Sequence, residues 1–263
     1  MTASAIPLSH SKRDFDKNGY TIFRNVLDPL LIAEMRNHLE WLMKNNPNVA
    51  PEGLDTFLVN QDPFWIRVVG DNRLLDIAEQ FIGPNIALFA SHYICKPAGK
   101  GKPVLWHQDG SYWPLEPMKV VTLWVAVDDS LPENGCMRVI PGTQNLNLQE
   151  LQKRDDIENV LGSAMEDKWI EESKAVDIVL KAGDVSIHHP NIIHGSNPNK
   201  STLRRCGLTI RYIPTTTKVT RDPHHFSLFL LRGNPVPGIN TYLSRPQFIP
   251  NTHPKFQGYE KWL

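Results

Sequence analysis

The chain has 263 residues, 41% hydrophobic and 21% charged, which is ordinary for a globular protein and long enough to bury a sizeable core as one domain spanning 1–263. Lys+Arg and Asp+Glu balance at 28 each, so no bulk charge draws the chain to nucleic acid or a membrane, and neither is expected as a partner. Met1–Gly19 holds no apolar stretch of signal-peptide length and no run is long enough to span a membrane, so a cytoplasmic location is expected.

The first part, about 10–83, reads as helical. Asp28 is suited to cap a helix in which Leu30, Leu31, Ile32, Met35, Leu39, Trp41 and Leu42 recur near the helical period. A second helix is expected over Arg73–Phe81, stopped by Gly83-Pro84. From Ile86 the pattern changes to period two. Strands are predicted at Ile86–Lys96, Val104–His107, Lys119–Val127, Met137–Ile140, Val176–Leu180, Val185–His189 and Leu203–Ile213. Turn signals at Pro97-Ala98-Gly99, Pro132-Glu133-Asn134-Gly135, Pro141-Gly142 and Ala182-Gly183-Asp184 separate them. Residues 146–173 read as a polar, helical insertion, and the tail 214–263, rich in Pro, His and aromatics, is expected partly to cover one mouth of the fold. The fold class is therefore mainly β with flanking helices, a sandwich or barrel with its core over about 86–213. Cys95, Cys136 and Cys206 are widely spaced with no CxxC pair, and read as reduced, buried thiols.

Trp106-His107-Gln108-Asp109 is where chemistry enters. On an extended strand, side chains at i and i+2 share a face, so His107 and Asp109 offer an imidazole and a carboxylate to one metal. His194, in Ile192-Ile193-His194-Gly195-Ser196, is the best third ligand. Two histidines and one carboxylate leave an open face on the ion, as iron(II) oxygenases need, because co-substrate and dioxygen must both reach it. The same three residues are also compatible with plain hydrogen-bonded structural roles. Arg205 tilts the balance. On its strand Arg205, Gly207, Thr209 and Arg211 share one face, while Cys206, Leu208, Ile210 and Tyr212 share the other. A polar inward face suits a wet lumen, and a buried guanidinium there needs an anion such as the distal carboxylate of 2-oxoglutarate. Arg204 would then point outward into solvent.

At these residues the sequence resembles the phytanoyl-CoA dioxygenase family of Fe(II)/2-oxoglutarate-dependent oxygenases. The resemblance runs in order through Phe81-Ile82-Gly83-Pro84-Asn85, His107-Gln108-Asp109, Glu133–Thr143, Gly183-Asp184, His194-Gly195-Ser196 and Arg205, and covers roughly Asp14 to Ile213. It implies a double-stranded β-helix (jelly-roll, cupin-like) core, iron on His107, Asp109 and His194, and the far carboxylate of 2-oxoglutarate on Arg205 and Ser196. His92 and Trp124 match further co-substrate positions. Trp124 also shares a strand face with Thr122 and Ala126, which are small enough to leave room for a ligand. A polar co-substrate residue of the family falls within Phe57–Asn60 without an assignable match. Halogenating relatives lack the carboxylate that Asp109 supplies, so its presence argues for hydroxylation or a related oxidation. The implied reaction consumes 2-oxoglutarate and O2, releases succinate and CO2, and hydroxylates an unactivated C–H bond of a small molecule.

Other residues carry open alternatives. Tyr112 and Trp113, with Pro114, either wall the substrate pocket or fill core. Arg211 either binds a substrate anion or pairs with a carboxylate of the barrel. His188 and His189 read as structural rather than ligating, His224 and His225 as cover over the substrate, and Arg138 as part of a turn. Lys96, Lys100 and Lys102 read as a solvated loop near the entrance. Two rival functions remain: a cupin-like metalloenzyme that does not use 2-oxoglutarate, and a silent barrel used for binding. Substrate identity and oligomeric state are not legible.

Overall fold

The protein is described here by a computed structural model that covers residues 8–54, 61–221 and 228–263. It opens with helix α1 (Leu8–Asn18) and strand β1 (Tyr20–Phe23). Among the described residues, the three α-helices that follow each begin at an aspartate, because a carboxylate oxygen can accept from the unpaired N–H groups of a first turn. Asp28 accepts from Leu31 N at 3.0 Å to start α2 (Pro29–Asn45). Asp62 accepts from Trp65 N at 3.0 Å to start α3 (Pro63–Val69), and Asp71 accepts from Arg73 N at 3.0 Å to start α4 (Asn72–Ile82). Gly83, with φ 88°, ends α4 in a conformation that side-chain-bearing residues avoid.

The strands follow in order: β2 (Ile86–Lys96), β3 (Val104–His107), β4 (Leu115–Glu116), β5 (Val121–Ala126), β6 (Met137–Ile140), β7 (Gln152–Lys153), β8 (Ser163–Ala164), β9 (Val176–Asp177), β10 (Val185–His188), β11 (Ile193–Ser196), β12 (Arg205–Pro214), β13 (Lys218–Val219) and β14 (Phe229–Arg232). The larger sheet has the order β1-β10-β5-β12-β2-β14, and the smaller facing one β3-β11-β6-β9. Apart from β6 and β9, which pair within the smaller sheet, successive strands of the core alternate between the two sheets, which is the double-stranded β-helix that the family resemblance implies. β1 and β14 extend the larger sheet at either edge, so both the N-terminal part and the tail contribute a strand that periodicity did not reveal.

The two faces of β12 sort as the alternation predicts. Cys206, Leu208, Ile210 and Tyr212 are fully buried in the cluster shared with α2, α3 and α4. Tyr212 OH donates to Val69 O at 2.7 Å, and Trp65 Nε1 to Ser91 Oγ at 3.0 Å, which pins α3 to the outer face of the sheet. The opposite face of β12 looks into the lumen between the sheets.

Three expectations are corrected. Residues 146–173 contain no α-helix: they hold the β7–β8 hairpin and a 3-10 turn at Asp167–Trp169. Gly162, at φ 68°, donates to Asn159 Oδ1 at 2.6 Å in a tight turn, and Leu146, Leu151, Met165 and Ile170 pack on Ile140 and Ile193. The cysteines are not all reduced: Cys95 and Cys206 are direct cross-strand partners on β2 and β12 and form a disulfide, while Cys136 is free and buried. Strand pairing had brought together two cysteines far apart in sequence, which spacing alone does not disclose. Third, Lys96 is no solvated loop residue but the fully buried end of β2. Phe57–Asn60, His224 and His225 lie outside the described residues. No helix among the described residues is long and apolar enough to cross a membrane.

Candidate active site

His194 on β11 is the cross-strand partner of His107 at the end of β3. Asp109 is not on that strand but opens a short 3-10 turn, Asp109–Tyr112. The pair still converges because Gln108 between them is extended, at φ −111° and ψ 125°. Gln108 is itself buried and anchored, donating to Asn191 O at 2.7 Å and accepting from Gln149 N at 2.9 Å.

One donor atom each from His107, Asp109 and His194 lies within 4.8 Å of the other two, and all three residues are buried. His107 Nδ1 sits 2.8 Å from Leu105 O and His194 Nδ1 3.1 Å from Ile192 O. A carbonyl can only accept, so each Nδ1 carries a proton, and Nε2 is the ring nitrogen each histidine would offer to a metal. Those Nε2 atoms stand 3.5 and 3.9 Å from Asp109 Oδ1. Burial, and then the neighbouring His107, hold His194 well below the ordinary imidazole value, so it is neutral, as a ligand must be. Burial opposes the Asp109 charge, but the neighbouring Arg211 foremost outweighs it and keeps the carboxyl well below the usual range. Two neutral imidazoles and one carboxylate, with no thiolate, fit a divalent iron with an open face.

The triad faces a cavity of about 230 Å³ whose lining includes His92, His107, Asp109, Tyr112, Trp113, Trp124, His194, Ser196, Arg205 and Arg211, but not Pro114. One end of it is cationic. Arg205 is 2% exposed and Lys96 fully buried, and they are cross-strand partners. Arg205 donates through Nε (3.0 Å) and Nη2 (2.5 Å) to Gly135 O, in the turn whose left-handed Gly135 has φ 77°. Lys96 Nζ donates to Ser196 Oγ at 2.7 Å and to Asn197 O at 2.5 Å. Among the described residues neither cation has a carboxylate partner within ion-pair distance. Burial pulls Arg205 down to about 10, and burial with the adjoining Arg205 pulls Lys96 down to about 6. Arg205, a buried guanidinium without a carboxylate partner, is costly alone, so this end of the lumen is built to receive an anion.

Trp124, on β5, reaches across β12 to lie over Gly207, and Arg205 Cζ sits 5.2 Å from its ring centroid. Gly207 is required there: a Cβ would fall 2.0 Å from Trp124 Cζ2. At the other end of the cavity, Arg211 Nη1 donates to Thr209 Oγ1 at 2.8 Å and to His92 Nδ1 at 2.6 Å. Burial and then Arg211 hold His92 well below the ordinary imidazole value, which leaves Nδ1 free to accept. Tyr112 OH shares a 2.6 Å hydrogen bond with Ser163 Oγ, and Tyr112 and Trp113 also face an outer cleft beside Gln149 and Leu151. His189 lines neither cavity wall. His188 does: it stays outside the triad, yet its Nε2 lies 3.5 Å from Asp109 Oδ2. The alternation of buried Val185 and Ile187 on the outer face was the available signal that Ser186 and His188 point inward. Arg204 pairs with Asp128 at 2.8 Å, and Arg138 with Glu172 at 2.5 Å, away from the cavity.

A jelly roll with a two-histidine, one-carboxylate face beside a deep arginine defines a class, the non-haem iron(II), 2-oxoglutarate-dependent oxygenases. A family model described as phytanoyl-CoA dioxygenase (PhyH) matches residues 15–207, and the chain belongs to that family. Among curated relatives, a probable alpha-ketoglutarate-dependent hypophosphite dioxygenase of Stutzerimonas stutzeri is 30% identical over 147 residues, covering 55% of this chain and 51% of that protein. The match thus spans about half the length of that relative. The L-proline trans-4-hydroxylase of Streptomyces griseoviridis is 26% identical over 254 residues, covering 86% and 91%. Among solved structures, the non-heme monooxygenase ThoJ in its apo form superposes with a TM-score of 0.76 at 24% identity, covering 89% of this chain and 87% of that one, which shows a shared fold.

Proposed function

We propose that the protein is an iron(II)/2-oxoglutarate-dependent hydroxylase of a small metabolite or natural-product intermediate, consuming O2 and releasing succinate and CO2. The observation that carries this reading is that a buried metal triad and Arg205, a buried arginine without a carboxylate partner, line one cavity. A dicarboxylate with a keto group is the molecule that needs both.

In this reading His107, Asp109 and His194 hold the iron through two Nε2 atoms and a carboxylate oxygen. The bound iron supplies the oxidative decarboxylation of 2-oxoglutarate and the oxidising power for the C–H bond. Arg205 holds the distal carboxylate, Ser196 donates to it, and Lys96 orients Ser196. Trp124 fixes the plane of Arg205 and excludes water from that end. His92 supports Arg211 rather than offering itself to the co-substrate alone, since its Nδ1 is occupied. Tyr112, Trp113 and Arg211 face the substrate side. A small substrate accords with a cavity of about 230 Å³ that must also seat 2-oxoglutarate. It accords too with the hypophosphite and proline in the names of two relatives.

The test is turnover of 2-oxoglutarate to succinate by iron-loaded protein, alone and with a library of small metabolites, with Arg205→Ala alongside. Iron-dependent succinate release that a library member stimulates and that Arg205→Ala abolishes supports the assignment. Activity that survives Arg205→Ala favours the cupin-like alternative, and no 2-oxoglutarate binding or turnover under any condition overturns the reading.

A further inference from the structure

Arg211 is 7% exposed, deep in the lumen, and only half of its guanidinium is engaged. Nη1 is committed to His92 and Thr209. Nε is buried with no hydrogen-bond partner, and Nη2 makes only a long ion pair with Asp109 Oδ2 at 3.9 Å, beyond hydrogen-bond distance. Nε and Nη2 form the two-donor edge that grips a carboxylate or phosphonate through parallel bonds. Trp113 covers the flat face of the group, with Cζ 5.5 Å from its ring centroid, and both residues line the cavity. The nearest carboxylate, Asp109, is a ligand of the metal triad, so its charge is shared with an ion when the site is loaded. Arg205 serves the co-substrate from the far end of the same strand face. A second buried guanidinium in one lumen, with an unsatisfied bidentate edge, calls for a second anion.

We propose that Arg211 recognises an acidic group on the organic substrate, so that the enzyme oxidises small carboxylic or phosphonic acids and orients them by that group beside the triad. The inference rests on the oxygenase reading and narrows its substrate class.

The experiment uses full-length protein loaded with Zn(II), a redox-inert stand-in for iron, and saturated with 2-oxoglutarate so that the Arg205 end is filled. Calorimetry first reads 2-oxoglutarate binding itself; its absence would count against the oxygenase reading, separately from this one. Ligand-observed NMR then screens small carboxylic and phosphonic acids, each beside its uncharged amide or ester, against wild type, Arg211→Lys and Arg211→Met. Hits in which the acid binds roughly tenfold or more tighter than its neutral partner are expected in wild type, because hydrogen bonds to a charged group are worth at least that much. Arg211→Met should erase the preference and Arg211→Lys should retain part of it; carboxylate or phosphonate hits then identify the acid class. Neutral partners binding as well as acids in wild type, or an acid preference that persists in Arg211→Met, overturns the proposal. The wild-type comparison stands even if a variant fails to fold. Loss of zinc affinity in Arg211→Met together with no acid preference in wild type would instead make Arg211 a positioning residue for Asp109.

Discussion

Gly207→Ala should damage co-substrate binding without touching any residue that contacts co-substrate. The added Cβ would stand 2.0 Å from Trp124 Cζ2 and 2.4 Å from Cε2 and Cη2, whereas ordinary contact begins near 3.4 Å. The indole must therefore retreat by more than an ångström, and the open space beside it is the co-substrate cavity that it lines. Overpacking of this kind costs about 1–3 kcal/mol, which for a chain of this size lowers the thermal midpoint by roughly 2–10 °C. Because the ring lies against Arg205, its displacement should also weaken 2-oxoglutarate binding by about 10–100-fold, equivalent to about 1.4–2.8 kcal/mol. Differential scanning calorimetry and titration of 2-oxoglutarate into Zn(II)-loaded protein read the two effects. Trp124→Phe, which removes the clashing ring, should restore part of the stability in the Gly207→Ala background, with a coupling of about 0.5–3 kcal/mol. Wild-type stability and wild-type affinity in Gly207→Ala would refute the placement of Trp124 over β12, and with it the account of how Arg205 is held.

Asp109→Ala should lose iron binding, read by metal titration, because two imidazoles remain where three donors converge; undiminished affinity would contradict the triad. Lys96 is held near 6 in the folded protein against an ordinary 10.5, so between those values the unfolded chain binds more protons and Lys96 makes stability rise with pH. The slope is at most about 1.4 kcal/mol per pH unit, and Lys96→Met should flatten it in urea unfolding at pH 6, 7 and 8. An unchanged slope would mean that Lys96 is charged and solvated. Alkylation of denatured, unreduced protein should label Cys136 alone, with Cys95 and Cys206 reacting only after reduction; three labels before reduction would contradict the cross-link.

The converging triad was legible because each member sits in a local pattern: His107 and Asp109 two apart, and His194 before a glycine and serine. Arg205 and Arg211 were legible because β12 alternates cleanly over its whole length, and a lumen-facing arginine has few physical explanations. Asp109 converged for a different reason than strand geometry, through one extended residue at Gln108 before a turn. What stayed hidden depended on pairing between distant segments. Lys96 follows a strand of mixed character and precedes Pro97-Ala98-Gly99, so its neighbours point to a surface loop; only its register opposite Arg205 puts it inside. The Cys95–Cys206 link depends on the same register. β14 lies in a tail whose composition reads as irregular, and it becomes a strand because β2 offers it an unpaired edge. In the 146–173 insertion, helical composition yields to the turn at Asn159–Gly162 and to apolar residues drawn onto the smaller sheet.

The most direct measurement adds iron(II) and then 2-oxoglutarate to metal-free protein without oxygen and records the visible spectrum, with Arg205→Ala in parallel. A weak charge-transfer band that requires both additions, and that Arg205→Ala diminishes or removes, is the predicted result. No band in the wild-type protein, together with no calorimetric binding of 2-oxoglutarate, would contradict the claim that this cavity holds an iron-bound co-substrate.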